Sequence, residues 1–121
     1  MVIRETVLEF VRNYSNKQYR LVVSSNSRWD LFLVDGDPNV AALEYGYVEN
    51  FDITVNGSNR IRLVAKDTSV YFFVNDKYVA TLNVSKKLDS GDIYVATGIY
   101  GGHTINGKFT RYEGFTVWSL Q

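Results

Sequence analysis

Carboxylates come in three close pairs along this chain: Asp35 and Asp37, Glu49 and Asp52, and Asp89 and Asp92. Retaining glycoside hydrolysis needs two carboxyl groups ~5 Å apart. All three pairs fall in turn-like stretches, where carboxylates cap and solubilise, so no catalytic pair is expected from them. His103 is the sole histidine, within Gly101-Gly102-His103-Thr104-Ile105-Asn106-Gly107. No serine, cysteine or acidic residue is spaced to make a triad with it. Cysteine is absent, so the usual zinc set is not available either. The expectation is a protein without catalytic activity and without an obligatory cofactor.

Asp35-Gly36-Asp37-Pro38-Asn39 is the one stretch that offers hard oxygens in alternation. Asp35, Asp37 and Asn39 could contribute to a calcium site, which takes six to eight oxygens. The glutamate and flanking helices of an EF-hand are missing, and an Asp-rich hairpin turn is the plainer reading. The glycine-rich loop around His103 follows a strand pattern and precedes another strand, so a nucleotide-binding reading fails. Its glycines would allow close backbone approach to a ligand, and loops on rigid sheets often carry binding.

Aromatic side chains carry the other candidate chemistry. The chain has 9 Tyr, 7 Phe and 2 Trp. Tyrosine suits positions with one wet end, such as sheet faces and rims. Tyr71, Tyr94 and Tyr100 fall opposite the most apolar faces of their strands, and Trp29 and Tyr47 join them as candidates for stacking on a sugar ring. Packing under neighbouring loops is the alternative use of the same rings. Trp29, Tyr47, Tyr71, Tyr94, Tyr100 and His103 are therefore the expected carbohydrate-contact set.

These residues need elements to position them, and the patterning is that of strands. Residues 59–82 give the clearest signal. Ile61, Leu63 and Ala65 alternate with Arg60, Arg62 and Lys66, a period of two. Lys66-Asp67-Thr68-Ser69 is turn chemistry. Val70 to Val74 is a dense β-branched and aromatic run. Asn75-Asp76 closes a hairpin because both residues tolerate positive φ. Tyr78 to Leu82 follows as a third strand.

Upstream, strands are expected at Thr6 to Arg12, Gln18 to Ser24, Arg28 to Val34 and Ala41 to Val48. Residues 1–5 fit strand or helix. Trp29, Leu31 and Leu33 share one face. Ile53-Thr54-Val55 reads as a short extended piece before an Asn56-Gly57 turn. Downstream, strands are expected at Ile93 to Tyr100 and Phe109 to Leu120, with Phe115 and Val117 on one side and Trp118 on the other. About nine short strands at regular spacing predict an all-β, antiparallel two-sheet β-sandwich or jelly roll.

Composition limits the partners. At 121 residues the chain is one domain with room for a sizeable core. Thirteen basic and 13 acidic residues give a formal net charge of zero. Nucleic-acid binders usually carry a basic surplus, and membrane anchoring through charge needs a polybasic cluster. Neither partner is expected. There is no apolar run of ~18 residues to span a membrane, and no secretion signal is visible at the N-terminus. Asn13-Tyr-Ser15, Asn56-Gly-Ser58 and Asn83-Val-Ser85 match the N-glycosylation pattern, which matters only in a eukaryotic secretory context.

The second half resembles the concanavalin A-like lectin/glucanase superfamily, in particular its laminin-G-like and 3-keto-disaccharide-hydrolase-like branches. The residues that carry the resemblance are Asn59 to Val64, Val70 to Asp76, Val79-Ala80-Thr81, Ser90 to Val95 and Tyr112 to Trp118. Val7 to Arg12 followed by Gln18 to Ser24 is similar to the paired strands near the start of those domains. The resemblance implies a β-sandwich and a non-catalytic carbohydrate-recognition module, extracellular or at the cell surface. Glycosidases of the superfamily carry Glu-x-Asp-x-x-Glu on one strand, and no such spacing occurs here. Members usually have one or two more strands before the one near Thr6. Either residues 1–5 fill that role in part, or the sandwich keeps an open edge at that strand, and an open edge invites an oligomer or a larger assembly. A structural or protein-interaction subunit, working through sheet edges, is the competing expectation.

Overall fold

The computed structural model describes residues 5–12, 17–36, 40–86, 92–96 and 110–118, with 5–12, 92 and 96 described by backbone alone. Every regular element among them is a β-strand, and the fold is all-β. In chain order these are β1 (Glu5–Arg12), β2 (Lys17–Ser24), β3 (Arg28–Asp35), β4 (Glu44–Tyr47), β5 (Ile61–Lys66), β6 (Ser69–Val74), β7 (Lys77–Asn83) and β8 (Asp92–Ala96). They form two antiparallel sheets, of order β4-β3-β2-β1-β8 and β5-β6-β7.

Alternation explains which face of each strand turns inward. On β2, Tyr19, Leu21 and Val23 are fully buried, while Gln18, Arg20 and Val22 between them are not. Trp29 and Leu31 do the same on β3, and Val70, Phe72 and Val74 on β6. These residues and Leu82 of β7 form one apolar cluster shared by the two sheets. Each such side chain contributes roughly 1.5–3 kcal/mol of burial. The sheets are also tied at one side, where Glu44 Oε2 of β4 accepts the Asn83 N–H of β7 at 3.0 Å.

The turns follow local chemistry. Val74 pairs with Lys77, leaving a two-residue loop in which Asn75 and Asp76 both take positive φ, 51° and 67°. That is the twist-compatible hairpin turn, and asparagine and aspartate tolerate it best. Asp67 at φ 53° starts the turn between β5 and β6.

Three expectations need correction. The extended piece at Ile53-Thr54-Val55 is a turn instead. Gly57 N–H donates to the Thr54 carbonyl at 2.9 Å, and Asn56 sits at φ 65°. The closing strand does not form within residues 110–118, where only Arg111 makes a bridge. Gly114 at φ 66° breaks the pleat in mid-run, and Phe115, Val117 and Trp118 are 56, 58 and 76% exposed. The third correction concerns the open N-terminal edge. β1 is an inner strand, because β8 returns to pair with it opposite β2, joining Val7 to Ala96 and Phe10 to Ile93. The outer strands of the described sheets are β4 and β8, and β5 and β7. Residues 97–100, and Phe109, Ser119 and Leu120 of the expected strands, lie outside the described residues.

Candidate functional site

Trp29 is a core residue, contrary to its expected place in a sugar-stacking set. It is 6% exposed and meets the Phe72 ring edge-on, with centroids 6.0 Å apart and planes at 77°. Its own alternation explains this, since it shares a face with Leu31, which is fully buried. Gly46 stands opposite it on β4. A Cβ there would lie 2.8 Å from Trp29 Nε1 and 3.0 Å from Cε2 and Cζ2. The glycine is what lets β4 pass over the indole.

The residues on either side of Gly46 point the other way. Tyr45 and Tyr47 are 64 and 62% exposed on the outer face of the five-stranded sheet. Two positions along one strand face put them ~6.8 Å apart. In the register Tyr47 pairs with Arg28 and Tyr45 with Asp30. Arg28 lies over the Tyr45 ring, with Cζ 4.6 Å from its centre. The same guanidinium grips Asp30. Nε donates to Oδ1 and Oδ2 at 3.1 and 3.0 Å, and Nη2 to Oδ1 at 2.8 Å.

Asp30 is only 4% exposed although it faces outward. A carboxylate so shielded needs a partner with several donors, and the arginine fork supplies them. Hydrogen bonds first to Asp30 and then to Tyr47 hold the Arg28 proton well above its ordinary range. The result is a pair of exposed rings braced from behind by a charge pair. Such bracing lowers the ordering cost of binding.

Tyr71 occupies the outer face of the other sheet, 37% exposed, between Val64 of β5 and Thr81 of β7. Phe73 and Tyr78 form the next cross-strand row with Arg62. Phe73 and Tyr78 meet edge-on at 6.0 Å and 75°, and Arg62 Cζ lies 4.5 Å from the Phe73 ring centre. Tyr78 and Thr81 share a hydroxyl hydrogen bond of 2.8 Å. These side chains make a continuous aromatic and polar strip.

The expected contact residues do not converge. Tyr47 and Tyr94 lie on the two outer strands of the five-stranded sheet, four strand spacings or ~19 Å apart. Tyr94 is 39% exposed. Tyr71 belongs to the other sheet altogether. Tyr100 and His103 lie outside the described residues, as do Asp37 and Asn39. Asp35 is exposed and pairs with Lys17 at 3.5 Å. Among the described residues no group of three or more His, Cys, Asp or Glu is placed to hold a metal. None of the helix type needed to cross a membrane occurs among them either.

Asp52, from one of the carboxylate pairs, has a structural task. Its carboxylate accepts the Thr54 hydroxyl at 2.5 Å and the Thr54 N–H at 3.0 Å. Those bonds, the hydroxyl's first, hold it below its ordinary pKa. Behind it Asn59, 2% exposed, accepts the Asp52 N–H at 2.7 Å and donates to the Asp52 carbonyl at 3.0 Å. Asn75 Nδ2 adds bonds to Asn59 Oδ1 at 2.9 Å and to the Asn50 carbonyl at 3.0 Å.

Arg28, Asp30, Tyr45, Phe73 and Tyr78 were not among the expected site residues. Glu44-Tyr45-Gly46-Tyr47 held a usable signal, two tyrosines at period two around a glycine. The Asn75-Asp76 turn likewise makes Phe73 and Tyr78 neighbours by register. No protein-family model matches this chain, and no curated protein or solved structure matches it either.

Proposed function

We propose that the protein is a non-catalytic recognition module, a two-sheet β-sandwich that binds carbohydrate outside the cell or at its surface. Tyr45 and Tyr47 are the contact rings and Arg28 is the hydrogen-bonding partner. One observation carries this reading. Two tyrosines more than 60% exposed stand on one strand face, and the Arg28–Asp30 pair fixes them from behind. Flat exposed rings suit the apolar face of a pyranose, and a guanidinium suits its hydroxyls. Asp30 is the only carboxylate among the buried described residues, and it is occupied by Arg28, which suits positioning rather than proton transfer. A concanavalin A-like kinship would fit the two sheets and their common core.

A glycan array followed by isothermal titration tests the reading. Saturable binding is expected, weakened roughly tenfold (about 1.4 kcal/mol) by Tyr45→Ala or Tyr47→Ala. Tyr94→Ala, at the far side of the sheet, is expected to bind like the parent. Absence of saturable binding across neutral and charged glycans overturns the proposal. So does binding that Tyr45→Ala and Tyr47→Ala leave untouched.

A further inference from the structure

The three-stranded sheet ends on β5, which pairs with β6 alone among the described strands. An outer strand leaves alternate N–H and C=O groups pointing away from its sheet. The two faces of β5 differ sharply. Arg62, Val64 and Lys66 lie outward, and Arg60 precedes them. Ile61, Leu63 and Ala65 lie inward. Ile61 and Leu63 are only half-buried against the core, and Ala65 is exposed. The inward residues of neighbouring β6, Val70, Phe72 and Val74, are 1, 0 and 0% exposed. The core is complete at β6 and incomplete at β5.

Charge is concentrated at the same place. Residues 60–66 hold three basic residues (Arg60, Arg62 and Lys66) and no acidic one, in a chain of net zero. Arg60 reaches Asp76 at 3.5 Å. Arg62 and Lys66 have no carboxylate partner among the described residues. Arg62 Cζ lies 4.5 Å from the Phe73 ring centre, and a guanidinium engaged in that contact still has N–H donors for an acceptor.

We propose that β5 is the docking edge for an extended segment of another protein in which acidic and apolar residues alternate. The segment adds a fourth strand by main-chain hydrogen bonding, and alternate side chains give the selectivity. Arg62 and Lys66 are four residues apart on one face, so the complementary acids stand at i and i+4. Apolar residues at i+1 and i+3 fall on the inward face and extend the cover over Ile61, Leu63 and Ala65. The occupant is an acidic partner rather than a second copy. Two β5 edges brought together would set arginine and lysine against arginine and lysine, and like charges across a pair of strands repel.

The test uses the full chain and the capped peptide Thr-Glu-Val-Thr-Val-Glu-Thr. Titration by NMR or fluorescence anisotropy, with peptide up to ~1 mM, the reach of weak docking, is expected to show saturation. Amide exchange is expected to slow along residues 61–66. The lysine peptide Thr-Lys-Val-Thr-Val-Lys-Thr and an isomer with adjacent glutamates are expected to bind at least tenfold more weakly. The double variant Arg62→Gln, Lys66→Gln is expected to keep the parent melting temperature and lose at least tenfold in affinity. No saturation overturns the proposal, as does equal binding of the lysine peptide. Protection appearing on another strand, or self-association through β5, also overturns it.

Discussion

Arg28 and Asp30 stand two residues apart on the outward face of β3, joined by three N–H···O contacts of 2.8 to 3.1 Å. The aspartate side chain is 6% exposed and the arginine 35%. Removing the acid frees a partly wet cation, whereas removing the base strands a dry anion. Asp30→Ala is therefore expected to destabilise the fold less than Arg28→Ala, which leaves a nearly buried carboxylate without its partner. Denaturant unfolding of the two variants measures the difference. Arg28→Ala being the milder change would refute this account of the pair.

Gly46 gives a second test. Gly46→Ala places a methyl group 2.8 Å from Trp29 Nε1, so the indole must move. Overpacking of this kind costs about 1–3 kcal/mol. Trp118 is 76% exposed and would dominate the emission. In a Trp118→Phe background, Gly46→Ala is expected to shift the remaining fluorescence to the red and lower the melting temperature. Unchanged emission would mean that β4 slides away and the ring stays put.

Asn59 makes two hydrogen bonds to Asp52 within the 50–59 loop and accepts a third from Asn75 of the β6–β7 turn. Asn59→Ala leaves the Asp52 N–H and carbonyl and the Asn75 amide short of partners. A loss of about 2–4 kcal/mol is expected in denaturant unfolding. Asn59→Asp sets a carboxylate oxygen against the Asp52 carbonyl in a site 2% exposed, and is expected to cost at least as much as Asn59→Ala.

Asp52 sets a pH dependence. Its folded-state pKa lies below the ordinary 3.8 because Thr54 donates to the carboxylate. A depressed pKa adds stability that is fully present above the unfolded value and disappears as pH falls through the folded one. Melting temperature is thus expected to drop as pH falls below 3.8, the ordinary value. Asp52→Asn is expected to flatten part of that acid limb and leave the melt at pH 7 lower than the parent's. An acid limb unchanged in Asp52→Asn would assign it to other carboxylates.

Local signals made the strands and the tightest turn legible in the sequence. Alternation from Arg60 to Lys66 and the Asn75-Asp76 pair were enough to place β5, β6 and β7, because both depend on neighbours in the chain. Trp29 was legible too. Its alternation with Leu31 and Leu33 already assigned it to the core face, and its ring chemistry drew attention away from that. The pairing of β1 with β8 was not legible. Residues 7 and 96 meet through a contact that no local period encodes. Phe115 to Trp118 shows the reverse case, in which strand-like composition meets a left-handed glycine and no strand forms.

The site was less legible than the fold. Tyr47 and Tyr71 stood out as single residues, but their companions depend on register. Arg28 meets Tyr47 and Asp30 meets Tyr45 only once β3 and β4 are aligned. Burial of Asp30 likewise follows from what surrounds it, which composition does not report.

The β1–β8 pairing also bears on how the chain is made. The β5–β7 hairpins need only residues 61–83 and can close while synthesis continues. The five-stranded sheet cannot be completed until residue 96 has left the ribosome. Until then the strand at 5–12 has a partner on one side only, and its other side is an edge open to non-native pairing.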